Sequence, residues 1–139
     1  MSIVAENLRR AVHSRAGGAC EYCLIPESAG FYSHEIDHVI ALKHGGKSEL
    51  ENLALACLSC NRHKGSDLAS VDPVTKQISD LFNPRRHRWS EHFTLAAARI
   101  QPQTAIGRAT ARLLHFNEPI RVEERQLFVR SKILKTPQF

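Results

Sequence analysis

Four cysteines stand in two pairs, Cys20-Glu-Tyr-Cys23 and Cys57-Leu-Ser-Cys60. Two C-x-x-C pairs have the ligand spacing of a tetrahedral zinc site. Because all four positions are thiolates, no position is left open for water, and the zinc this predicts is structural. The 33 residues between the pairs exceed a zinc-ribbon gap, so something else folds between them. Between and just after the pairs stand His34, Asp37, His38, His44, Asn52, Asn61 and His63. A carboxylate and an amide oxygen, from Asp37 and Asn61, suit a hard divalent ion such as magnesium. A histidine beside that ion but not on it, His38, suits a general base that activates water. Phosphodiester hydrolysis needs these parts: water loses a proton, and positive charge stabilises the phosphate and the leaving oxygen.

These side chains converge only if the backbone brings them together. Residues 34–41, HEIDHVIA, alternate and predict a strand, with His34, Ile36, His38 and Ile40 on one face and Glu35, Asp37, Val39 and Ala41 on the other. KHGGKSELEN is a polar loop with a Gly-Gly turn, and residues 53–56, LALA, predict the returning strand. NRHKG, after the fourth cysteine, predicts a short helix ended by Gly65. A helix packed across such a hairpin would gather Asp37, His38 and Asn61, with the zinc anchoring Asn61 one residue after its last ligand. Residues 2–15 predict a helix capped by Ser2, carrying Val4, Leu8, Ala11 and Val12 at helical spacing and ended by Gly17-Gly18. Residues 66–84 read as loop with short structured pieces, since Asp72-Pro73 and Asn83-Pro84 both favour turns. Helices are expected over 104–116 and 119–133.

The chain of 139 residues carries a net charge of +5, and the surplus is local. Residues 82–112 hold six arginines and one acid, whereas residues 1–65 balance seven bases against seven acids. Such a segment predicts an anionic partner, of which nucleic acid is the commonest. Arg85, Arg86 and Arg88 are the expected phosphate contacts, joined by Arg62 and Lys64 next to Asn61, while Trp89 is expected in the core. No apolar run reaches the ~20 residues of a membrane span, and the first residues lack the apolar stretch of a signal peptide, so the cytoplasm is the expected compartment.

The stretch EIDHVIALKHGGKSELENLALACLSCNRHKG resembles the HNH endonuclease motif, flanked by the zinc cysteines that many members carry. The resemblance implies an α+β fold: a zinc-stapled ββα-metal core over residues 1–81 with an N-terminal helix, and a basic, mostly helical C-terminal extension over 82–139. It implies that His38 is the general base, that Asp37 is a metal ligand, and that Asn52 fixes the base and the loop. Many members have histidine at the third motif position. Here it is Asn61, as in the HNH domains of RNA-guided DNA nucleases, where asparagine ligates magnesium. His63 is a further candidate ligand or phosphate contact. LFNPRRHRWSEHF and TAIGRATARLLHFN are similar to a tail found in small bacterial HNH proteins. The implied activity is magnesium- or manganese-dependent hydrolysis of double-stranded DNA. Two other readings share the same residues, a non-catalytic zinc-dependent nucleic-acid-binding module and an RNA nuclease.

Overall fold

A strand whose side chains alternate must serve two neighbours at once, and here each face has one. The computed structural model describes residues 4–27 and 33–134. Strand β1 (Glu35–His38) pairs antiparallel with β2 (Leu53–Ala56), with Glu35 opposite Ala56 and His38 opposite Leu53. On one face, Ile36, Leu53 and Leu55 pack against Leu8 and Val12 of helix α1 (Glu6–Ala16). On the other, Ala54 and Ala56 join the main core, and helix α2 (Leu58–Lys64) crosses, contacting both strands. The arrangement is the expected ββα unit with α1 behind it. The α1 helix starts at Glu6 on an Ala5 cap and ends on Gly17 at φ 64°, in the left-handed region glycine tolerates. The expected cap Ser2 lies outside the described residues.

Beyond α2, the short structured pieces expected within residues 66–84 are a hairpin of β3 (Ala69–Val71) and β4 (Ile78–Asp80). After the short helix α3 (Trp89–His92) comes a second hairpin, β5 (Phe93–Ala96) with β6 (Arg99–Pro102). The extension, expected to be mostly helical, carries this hairpin beside its helices. The alanines of its sequence favour helix locally. Phe93 and Ile100 gain more by turning into the core, and Ala97 takes φ 55° to close the turn. Helix α4 (Ala105–Leu113) starts on Thr104, whose hydroxyl accepts from the Gly107 N–H at 3.0 Å. Helix α5 (Pro119–Arg130) opens with proline in its first turn.

One core joins the two expected segments. Cys20, Tyr22 and Cys23 pack in the same cluster as Trp89, Phe93, Leu114 and Phe116. Trp89 is buried, as expected, and its indole N–H donates to the Tyr22 carbonyl at 2.9 Å. Among the described residues no helix is long and apolar enough to cross a membrane.

One carboxylate ties the β3–β4 hairpin to α4. Asp72 is 0% exposed and accepts two hydrogen bonds from Arg108, at 2.9 and 2.7 Å, besides the Val74 N–H and the Thr75 hydroxyl. The Arg108 bonds hold its carboxyl well below the usual carboxylate range, burial acting the other way. A carboxyl depressed by folding contributes stability that is complete above its unfolded value, about 3.9, and is lost as pH falls toward the folded value. Urea unfolding should therefore find wild type more stable than Asp72→Asn at pH 7, with the gap closing below about pH 4. A gap that stays constant into acid would remove the ionised carboxylate from the account.

Candidate active site and metal centre

The four cysteine sulfurs lie within 4.8 Å of one another, and all four residues are buried. Sulfurs at about 2.3 Å from a tetrahedral zinc sit roughly 3.8 Å apart, and Cys23 Sγ is 3.6 Å from Cys57 Sγ. Each pair also folds its own turn, the Cys23 N–H pointing to Cys20 Sγ and the Cys60 N–H to Cys57 Sγ, both at 3.4 Å. The cluster fits zinc. One partner was not legible in the sequence: Arg121 of α5 is buried, with Nη2 3.1 Å from Cys60 Sγ and 3.6 Å from Cys57 Sγ.

Cys57 caps α2, so Asn61 and Lys64 are set one turn along it and share a face. Facing them from β1 are Glu35 and Asp37, two residues apart and hence on one side of the strand. Two rungs connect the elements. Asn61 Nδ2 donates to Glu35 Oε2 at 2.7 Å. Lys64 Nζ reaches the Asp37 carboxylate at 3.3 Å and donates to the Val39 carbonyl at 3.1 Å. The Tyr22 hydroxyl donates to Asp37 Oδ2 at 2.6 Å. Burial pushes the Asp37 carboxyl up, against the pull of the Lys64 ammonium and the Tyr22 hydroxyl. Asp37 and Asn61 thus share a face, yet each is bonded to another side chain. Sequence reasoning passed over Glu35, although strand alternation already set it beside Asp37.

Two expectations are corrected here. Lys64 is only 3% exposed and faces Asp37, so it is a buried counter-ion and not a nucleic-acid contact. His63 lies two residues past Asn61, roughly 200° around the helix, and does not join Asp37. Its Nδ1 is 2.8 Å from the Ser59 carbonyl oxygen and its ring packs on His115 at 4.2 Å. It lines a cavity of about 430 Å³ together with Cys57 and Arg121.

His38, the last residue of β1, turns to the loop and not to Asp37 and Asn61, so the expected gathering of all three is not what the structure has. Its Nε2 is 2.8 Å from Ser48 Oγ, and its Nδ1 has no partner among the described residues. Asn52 does not touch the ring. Its Oδ1 accepts from the Ile40 N–H at 3.0 Å, and its Nδ2 donates to the Ile40 and Lys47 carbonyls, both at 2.9 Å. Asn52 closes the loop that returns Ser48 to His38.

The basic residues divide. Arg62, Arg86 and Arg88 are exposed, with Arg88 3.8 Å from Glu91. Arg85 is not a free phosphate contact. It is ion-paired with Glu21 and donates to the Leu53 carbonyl at 3.1 Å, because the turn after Asn83 folds it back onto β2. Glu21 in turn accepts from the Leu55 N–H at 2.8 Å.

Removing one partner of a buried ion pair strands the other charge, which typically costs about 3–5 kcal/mol. Lys64→Ala should lower the unfolding free energy by that order, measured by urea denaturation. Full stability combined with weaker, less salt-dependent nucleic-acid binding would return Lys64 to the surface role.

No curated protein and no solved structure matches the chain. A family model does, over residues 20–67, and its description is HNH endonuclease. The matched span runs from Cys20 through the hairpin, the Asn52-closed loop and α2. Residues 20–67, built on a four-cysteine cluster, thus match the HNH endonuclease domain, a family whose chemistry is in general that of nucleases.

Proposed function

We propose that the chain is a metal-dependent endonuclease that hydrolyses phosphodiester bonds of double-stranded DNA in the cytoplasm, with His38 as general base and a structural zinc on Cys20, Cys23, Cys57 and Cys60. The observation that carries this reading is the match of residues 20–67 to the HNH endonuclease model, in which Asp37 and Asn61 put oxygen donors on one face of the hairpin and His38 follows Asp37 directly, its Nε2 held by Ser48 and its Nδ1 without a partner among the described residues. The Asn61 amide nitrogen is engaged by Glu35, which leaves Oδ1 for an ion, and Asp37 has lone pairs beyond those used by Tyr22 and Lys64. Such hard oxygens suit magnesium or manganese. A divalent ion bound there supplies positive charge to the phosphate and the leaving 3′ oxygen. His38 takes one proton from the attacking water as its oxygen bonds to phosphorus and the bond from phosphorus to the 3′ oxygen breaks, giving 5′-phosphate ends. The exposed Arg62, Arg86 and Arg88 and the net charge of +5 favour a polyanionic substrate.

Plasmid cleavage with magnesium, manganese or no added ion, run beside an RNA substrate, tests the activity. His38→Ala should lose about 100- to 10,000-fold in rate and keep its zinc. Histidine serves as a base only when neutral, so wild-type cleavage should rise with pH on the acid side, and that limb should vanish in His38→Ala. Cleavage by His38→Ala at the wild-type rate under saturating ion would discard the assignment. Asn61→Ala should recover part of its activity at high manganese.

The zinc is tested separately. Metal analysis should find about one zinc per chain. Structural zinc contributes roughly 10 kcal/mol or more to folding, so Cys57→Ser should unfold the core, seen as loss of the cooperative thermal transition. A folded, active preparation free of zinc would sink this part of the proposal.

A further inference from the structure

We infer that the loop from Ala41 to Lys47 grips the substrate strand, with Lys43, His44 and Lys47 as its phosphate-contacting surface beside His38. The inference rests on the nuclease reading and names the surface that holds its substrate.

The shape of this loop is set before any partner arrives. Leu42–His44 form a 3₁₀ turn closed by Gly45 at φ 92°. A Cβ on Gly46 would lie 1.7 Å from the Ile40 carbonyl oxygen and 2.8 Å from Asn52 Nδ2, so no other residue fits there without the loop moving. Asn52 bonds both the entry of the loop, at Ile40, and its exit, at Lys47. One residue further on, Ser48 Oγ is 2.8 Å from His38 Nε2, which fixes the loop relative to the base.

The cations on this frame are available. Lys43, His44 and Lys47 are exposed, and none of their side chains has a hydrogen-bond or ion-pair partner among the described residues. By contrast, Arg85 is held by Glu21 and Arg108 by Asp72. Glu51, close in sequence, interacts with Arg15 of α1. Rigid cations on a pre-formed loop bind phosphates without the cost of ordering the backbone. Lysines contact phosphate as point charges, whatever the base sequence.

The test measures equilibrium binding of the zinc-loaded chain to labelled DNA duplexes of two unrelated sequences, as a function of salt. It uses the His38→Ala background so that the duplex is not cut. Each lost phosphate contact on duplex DNA removes about 0.9 from the slope of log affinity against log salt. Lys43→Ala with Lys47→Ala should flatten the slope by about 2 on both sequences, at unchanged thermal stability. Removing the same two charges at the exposed Arg99 and Arg112 should leave the slope nearly as it was. Equal flattening by both pairs would reduce the effect to net charge and overturn the loop. So would a slope that the lysine pair does not move, while the nuclease reading would stand. A parent chain that binds neither duplex overturns both.

Discussion

Four cysteine sulfurs brought within one cluster are the constraint on which the site depends. Helix α2 has only seven residues, and a helix that short is not stable alone in water. It persists because both ends are tied. Cys57 and Cys60 hold its first turn in the cluster with Cys20 and Cys23, and Lys64 plugs its last turn into the buried carboxylate of Asp37. Asn61 lies between these anchors and has almost no freedom left. A close-packed cluster of thiolates carries negative charge that burial would penalise, and Arg121 answers it with a guanidinium 3.1 Å from Cys60 Sγ. The extension thereby becomes part of the centre that organises the domain.

Strand alternation then divides the work. Because successive residues point to opposite faces, Asp37 and His38 can be neighbours in sequence yet serve different environments. Asp37 is enclosed, with a tyrosine hydroxyl and an ammonium for company. His38 stands on the α1 side, partly open, with a serine on one ring nitrogen. One strand of four residues supplies both environments, provided the register against β2 does not slip. Arg85 and Glu21 help to hold that register, since they bond the Leu53 carbonyl and the Leu55 N–H from outside the hairpin.

What could be read from the sequence was whatever depends on local spacing. The cysteine pairs, the alternating strand, its LALA partner and the short helix after Cys60 all follow from periods of two, three or four residues, and the structure has them. What could not be read depends on distant partners. Arg85 looks like its exposed neighbours Arg86 and Arg88 until Glu21, 64 residues away, is beside it. Lys64 and His63 are adjacent and both polar, and only the direction of packing sends one into Asp37 and the other onto His115. The β5–β6 hairpin contradicts its own alanine-rich propensity because its apolar residues are claimed by the core. Glu35 is the one omission that the strand pattern itself could have corrected.

Two buried arginines of α5 bind residues beyond 82 to the cysteine cluster and to one another. Arg125 is 1% exposed and donates to the Ala98 and Phe116 carbonyls and to Asn117 Oδ1. Arg121 donates to the His115 carbonyl at 2.9 Å as well as to the sulfurs. Between them they satisfy the β5–β6 turn and the carbonyls exposed where α4 ends, groups that the last turn of a helix cannot satisfy itself. Apolar residues in their place would pack, but would leave those carbonyls and the thiolates without donors. The cost of burying two guanidinium groups is offset only if all these acceptors are present together. That requires the β5–β6 hairpin, the end of α4 and the cysteine cluster in one arrangement.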